Sequence, residues 1–176
     1  SEYFNEIREI RRRIHQNPEL STEEYMTAEY ICKKLDEYSI PYAKGVAGTG
    51  VVGIINGKNP SGKNIALRAD MDALPVIEEN EVEFRSMIRG KMHACGHDVH
   101  MACLLGAAKI LNSLKNEFEG SVKLIFQPSE ETYPGGAIRM IEEGVLKNPE
   151  TLSVIGQHVT NEFNAGMIGV KPGTYM

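Results

Sequence analysis

The chain has 176 residues, 41% of them hydrophobic and 24% charged, with a formal net charge of −5 and a pI near 5.6. That is long enough for one domain with a true core. The acidic balance, relieved only by a brief basic run at Arg11–Arg13, argues against a nucleic-acid partner, and no apolar run approaches the roughly 20 residues of a membrane span.

The N-terminal stretch is charged and amphipathic, unlike a signal or transit peptide. Residues 3–16 set Phe4, Ile7, Ile10 and Ile14 at helical spacing. "NPELS" breaks that helix. Ser21 and Glu24 then form an S-x-x-E pattern that predicts a capping box and a second helix to about Tyr38, with Ala28, Ile31, Cys32 and Leu35 buried. "GVVGII" from Gly50, "IALRAD" from Ile65, "SVKLIFQ" from Ser121 and "LSVIGQH" from Leu152 read as strands. In the third of these, Val122, Leu124 and Phe126 share a face. Between them, Asp98 to about Leu114 is apolar almost all round, as a helix buried on a sheet would be, and Gly136–Gly144 is a shorter amphipathic helix. The alternation predicts an α/β fold with a mainly parallel, mixed central sheet and helices on both faces. Cys32, Cys95 and Cys103 are too few for a disulfide framework and fit a reducing, cytoplasmic setting. Cys32 and Cys103 read as core residues.

The unusual residues fall at strand ends. Asp70 and Asp72 follow "IALR", Glu130 and Glu131 follow "LIFQPS", His158 ends "LSVIGQ", and "MHACGHDVH" at 92–100 precedes the buried helix. Sites in open α/β sheets gather beyond the carboxyl ends of strands, so the four clusters are expected to converge. Each has a plainer reading: a turn cap for Asp70 and Asp72, a solvated pair for Glu130 and Glu131, a packed histidine for His158. Thiolate, imidazole and carboxylate together suit Zn²⁺, Mn²⁺, Co²⁺ or Ni²⁺. So many donors exceed what one tetrahedral ion needs and suit two ions about 3.5–4 Å apart.

"RRRIHQNPELSTEE", "ALRADMDALPV", "GKMHACGHDVHMACLLGAAKIL", "LIFQPSEE" with "GGA", and "IGQHV" occur in that order. Together they resemble the N-terminal catalytic region of aminoacylase/carboxypeptidase-type metallo-amidohydrolases, in the branch of hippurate hydrolases, auxin-conjugate hydrolases and N-acetyldiaminopimelate deacetylases. The resemblance implies a metallo-aminopeptidase-like catalytic domain over 1–176. It implies two divalent ions with Cys95, His97, Glu131 and His158 as ligands, and Glu130 as general base and acid. Asp72 would orient a ligand from behind, with Asp70 and Asp98 assigned supporting parts and His93 and His100 supporting or structural ones. The implied reaction is hydrolysis of the amide bond of an N-acyl amino acid by a metal-bridged water. Family members are about twice this length, with an inserted dimerisation domain and a last histidine ligand beyond it, so this chain is expected to stop at "GVKPGTYM" before that insertion and the full protein to be a homodimer. Two other readings stand beside this one: a metal-binding or interaction module of the same fold without activity, and a thiol enzyme using Cys95 with His97 or His93. A dinucleotide-binding fold fails, because no G-x-G-x-x-G follows the first strand.

Overall fold

The computed structural model describes residues 2–173. In chain order come α1 (Glu2–Gln16), α2 (Tyr25–Glu37), β1 (Tyr42–Val46), β2 (Gly50–Asn56), β3 (Asn64–Asp70), α3 (His97–Ser113), β4 (Ser121–Gln127), α4 (Gly136–Glu142) and β5 (Ser153–Gly156). The strands form one mixed sheet in the order β1-β2-β4-β3-β5. β4 runs parallel to β3, and β3 parallel to β5, whereas β2 is antiparallel to both β4 and β1.

These directions bring the polar clusters together. Asp70 pairs with Gln127, so β3 and β4 end side by side, and β5 ends against Arg68 of β3. Because β2 is reversed, it begins at this same end, with Val51 opposite Phe126. The last residues of three strands and the first of a fourth therefore share one edge. α3 starts there too, at His97.

β4 is buried along its whole length. One face carries Leu124 and Phe126 into a core with Ile10 and Ile14 of α1, Ile31 and Leu35 of α2, and Met101 and Leu105 of α3. The other carries Ile125 into a smaller core with Ala66 and Met140 of α4. Helices thus cover both faces. Lys123 lies on that second face, and its buried ammonium donates to the carbonyls of Val145 (2.6 Å), Lys147 (3.1 Å) and Pro149 (3.1 Å). A lysine is tolerated in a core position because its three protons each find an acceptor.

One strand goes unannounced in the sequence, and two local expectations are corrected. β1, "YAKGV", carries no clear alternation and has an exposed middle, so its sequence does not announce a strand. The S-x-x-E pattern at Ser21 does not form a capping box: α2 follows Glu24 without any side-chain capping bond, and both side chains are spent elsewhere. Cys32 is a core residue as expected, but Cys103 is only half-buried. β5 is bonded on one side, to β3, and Val154 and Ile155 are exposed on it. Residues 157–173 contain no helix or strand. "GVKPGTYM", where the approach to an inserted domain is expected, lies partly outside the described residues.

Candidate metal centre

His97 is the hub. It opens α3 directly after Gly96, whose φ of +87° is left-handed and where an added Cβ would collide with Val159. Only glycine meets both demands. The His97 ring is 1% exposed. Nδ1 lies 2.8 Å from the Asp72 carbonyl oxygen, which can only accept, so Nδ1 carries the proton. Nε2 is buried and has no hydrogen-bond partner among the described residues. It faces Asp70 Oδ2 at 3.6 Å, Glu131 Oε1 at 3.8 Å and Glu130 Oε2 at 4.0 Å. Burial opposes a charge on this ring, but the bond to Asp72 and the charges of Asp70 and Asp72 outweigh it and hold its pKa above the ordinary value. The field at Nε2 therefore favours a positive charge.

The acids behind His97 are braced. Asp70, at the end of β3, accepts from His100 Nδ1 (2.7 Å) and Arg68 Nη1 (2.7 Å). Asp72 Oδ2 accepts from Ser21 Oγ (2.6 Å) and the Glu131 amide (2.9 Å). Burial pushes the Asp72 carboxyl up, yet bonds from His97, Ser21 and the Glu131 and Glu130 amides bring it down to about 2.

His158 and Cys95 complete the near side. His158 Nδ1 donates to the Val159 carbonyl at 2.7 Å, which leaves Nε2 facing Cys95 Sγ at 3.4 Å. His100 holds this segment in place: its Nε2 accepts from the Val159 amide at 3.0 Å, so its proton sits on Nδ1, toward Asp70. With both nitrogens engaged, His100 is a strut between α3 and the chain after β5. The Cys95 thiol is pushed up to about 11, by burial and then by the carboxylates of Glu131, Glu130 and Asp70. The negative field around Cys95 opposes thiolate formation, the reverse of the electropositive surroundings that activate a thiol nucleophile.

The donor atoms of Cys95, His97 and His158 lie within 4.8 Å of one another, and so do those of His97, Glu130 and Glu131. All five residues named in the sequence as ligands or base are thus gathered, with Asp70 and Asp72 behind them. Asp98 is turned away: Oδ2 accepts from Arg11 Nε (2.7 Å) and His15 Nδ1 (2.8 Å) of α1. His93 is buried, and burial brings its pKa down to about 4, so its ring is neutral. A soft thiol, two imidazoles that turn Nε2 toward the centre and two carboxylates fit divalent ions, and the unbonded, buried His97 Nε2 is the strongest sign of it.

Sequence reading missed the residues that brace the site. Ser21 and Glu24 were hidden by a capping pattern, and His15 by its place on the α1 stripe. His15 Nε2 also reaches Glu78 Oε1 at 3.1 Å, tying the loop before Met92 to α1. A buried histidine one turn after an arginine was the available signal.

A thiol, imidazoles and paired carboxylates gathered at one edge of an α/β sheet define a candidate metal centre. Residues 66–175 match the model of Peptidase family M20/M25/M40, more than half of the chain, and the chain belongs to that family. It is 47% identical over 172 residues to "Thermostable carboxypeptidase 2" of Saccharolobus solfataricus, covering 97% of this chain and 43% of that protein. It is 42% identical over 166 residues to the "N-acyl-L-amino acid amidohydrolase" of Geobacillus stearothermophilus, covering 94% and 44%. Among solved structures it is similar to the Bacillus subtilis YXEP protein, described as a dinuclear metal binding peptidase, with a TM-score of 0.91, 40% identity, and 97% of this chain and 47% of that one covered. The chain thus spans less than half the length of these relatives.

Proposed function

We propose that this chain carries most of the metal centre of an amidohydrolase that cleaves N-acyl amino acids. The observation that carries the reading is the buried His97 Nε2, which lacks a hydrogen-bond partner and faces Glu131 and Glu130. Cys95, His97, Glu131 and His158 would hold divalent ions, with Mn²⁺, Zn²⁺, Ni²⁺ and Co²⁺ all compatible with the donors. Such ions supply Lewis acidity toward an amide carbonyl and make water acidic enough to attack at neutral pH.

The chain's own residues do the rest. Asp72 accepts the Glu131 amide, and its backbone carbonyl fixes the His97 tautomer so that the bare nitrogen faces the centre. Glu130 is 41% exposed at its side chain, against 25% for Glu131. The more open carboxylate is suited to exchange protons with solvent, so Glu130 takes the proton from the attacking water and delivers it to the leaving amine. The substrate class rests on the similarity to the N-acyl-L-amino acid amidohydrolase.

The test is Glu130→Gln in a chain of the length of the relatives, assayed on N-acetyl and N-benzoyl amino acids alongside Mn²⁺ binding. Hydrolysis should fall by about 10² or more while bound metal is unchanged. Turnover at the wild-type rate would refute Glu130 as base. Full metal binding with no hydrolysis by the wild-type chain would favour a non-catalytic module.

A further inference from the structure

Glu24 is wholly buried, with 0% exposure, and caps nothing. Its carboxylate reaches across the site edge instead. Oε1 accepts from the Ser129 amide at 2.7 Å and Oε2 from Thr49 Oγ1, at the head of β2, at 2.6 Å. Ser129 Oγ in turn accepts from the Thr22 amide at 3.0 Å, and the Ser129 carbonyl accepts from the Gly136 amide at 2.9 Å. Ser129 has a φ of +52°, a left-handed conformation that residues with a Cβ rarely adopt unless their surroundings hold them there. The next two residues are Glu130 and Glu131. Moving Ser129 out of this conformation would turn both carboxylates away from His97.

We infer that Glu24 is a positioning residue, a buried clamp that holds Ser129 left-handed and thereby aims Glu130 and Glu131 at the centre. The consequence for metal rests on the function proposed above; the clamp itself does not. A carboxylate is suited to the task because its two oxygens serve the Ser129 amide and the Thr49 hydroxyl at once, both donors. Glutamine could keep the Ser129 amide on its oxygen and donate its N–H to the Thr49 hydroxyl, so leucine, which has similar bulk and accepts nothing, is the informative replacement.

The experiment compares the wild-type chain, Glu24→Leu and Glu24→Leu/Ser129→Gly. Amide hydrogen exchange is followed by NMR in EDTA, and Mn²⁺ affinity by titration. In Glu24→Leu the amides of Ser129 and Glu131 should exchange about tenfold faster or more, while those within β4, such as Leu124, keep their rates. Mn²⁺ affinity should fall about 10- to 100-fold, and Ser129→Gly, which adopts a positive φ without penalty, should recover much of that loss. Thr49→Val removes one donor to Glu24, should give the same local pattern more weakly, and is the decisive arm if Glu24→Leu does not fold. Unchanged exchange at Ser129 and Glu131, or an equal acceleration throughout the sheet, would overturn the clamp. A wild-type chain that binds no Mn²⁺ would instead refute the metal centre, while the exchange rates still decide the role of Glu24.

Discussion

His15→Leu probes the brace between α1, α3 and the loop before Met92. The His15 ring is 3% exposed and is bonded at Nδ1 to Asp98 (2.8 Å) and at Nε2 to Glu78 (3.1 Å). With both ring nitrogens facing carboxylates, the bonded form is the imidazolium. Leucine would remove both bonds and leave two buried carboxylates without that cation, a change that typically costs about 3–5 kcal/mol. Asp98 keeps Arg11, and Glu78 keeps the Ser86 amide at 2.6 Å, so the lower end, about 3 kcal/mol, is expected. For a chain of this size that is a fall in Tm of roughly 6–12 °C. The loss should also depend on pH. The groups facing His15 are Asp98, Glu78, Arg11 and the edge of Phe84. Burial pulls its pKa down, but the bonds to Asp98 and Glu78 and the charge of Asp98 prevail, and the folded value is raised above 6.5. A raised pKa contributes stability that is complete below the unfolded value and lost as pH rises through the folded one. Urea unfolding in EDTA should therefore show the largest gap between wild type and His15→Leu near pH 6, narrowing as pH rises through the raised folded pKa, beyond which neutral His15 still donates one bond. A gap below about 1 kcal/mol, or one that is flat over this range, would refute the charged brace.

Ser21→Ala should cost about 2 kcal/mol by removing the donor to the Asp72 carboxylate, while far-UV circular dichroism stays unchanged; a loss of helix signal would mean that Ser21 caps α2 after all. Lys123→Met should cost about 1–2 kcal/mol, because three stranded carbonyls outweigh the relief of leaving no buried charge. Limited proteolysis should then find new cleavage within 145–151, and protection there equal to wild type would refute the role of Lys123 as the anchor of that loop.

The strand ends and the residues on them were legible because both signals are local. Alternation marks β2, β3 and β4, and paired acids or clustered histidines mark the turns after them. The topological rule for open sheets then brings Asp70, Glu130, Glu131 and His158 to one edge. What was not legible is non-local. Nothing in "YAKGV" states that it pairs with β2, since that depends on an edge being free. Nothing in S-x-x-E separates a helix cap from side chains recruited by Asp72 and Ser129, because the deciding partners lie 51 and 105 residues away. Asp98 sits beside His97 in sequence, yet the first turn of α3 sends its side chain to Arg11 and His15.

The reach of Glu24 to Ser129 also sets an order of events during synthesis. The first 24 residues leave the ribosome long before their acceptor segment exists. At about 5–20 residues per second, the 105 residues between Glu24 and Ser129 take roughly 5–20 s to add. During that interval Thr49, Asp72, Glu78 and Asp98, the other partners of Glu24, Ser21 and His15, are added in turn, and the Ser129 amide that completes the Glu24 pair comes last. The site can close only after β4 has been inserted between β2 and β3 and the turn after it has formed. Assembly of the site edge is then a late step, timed by translation of residues 121–131 and not by the folding of the helices that precede them.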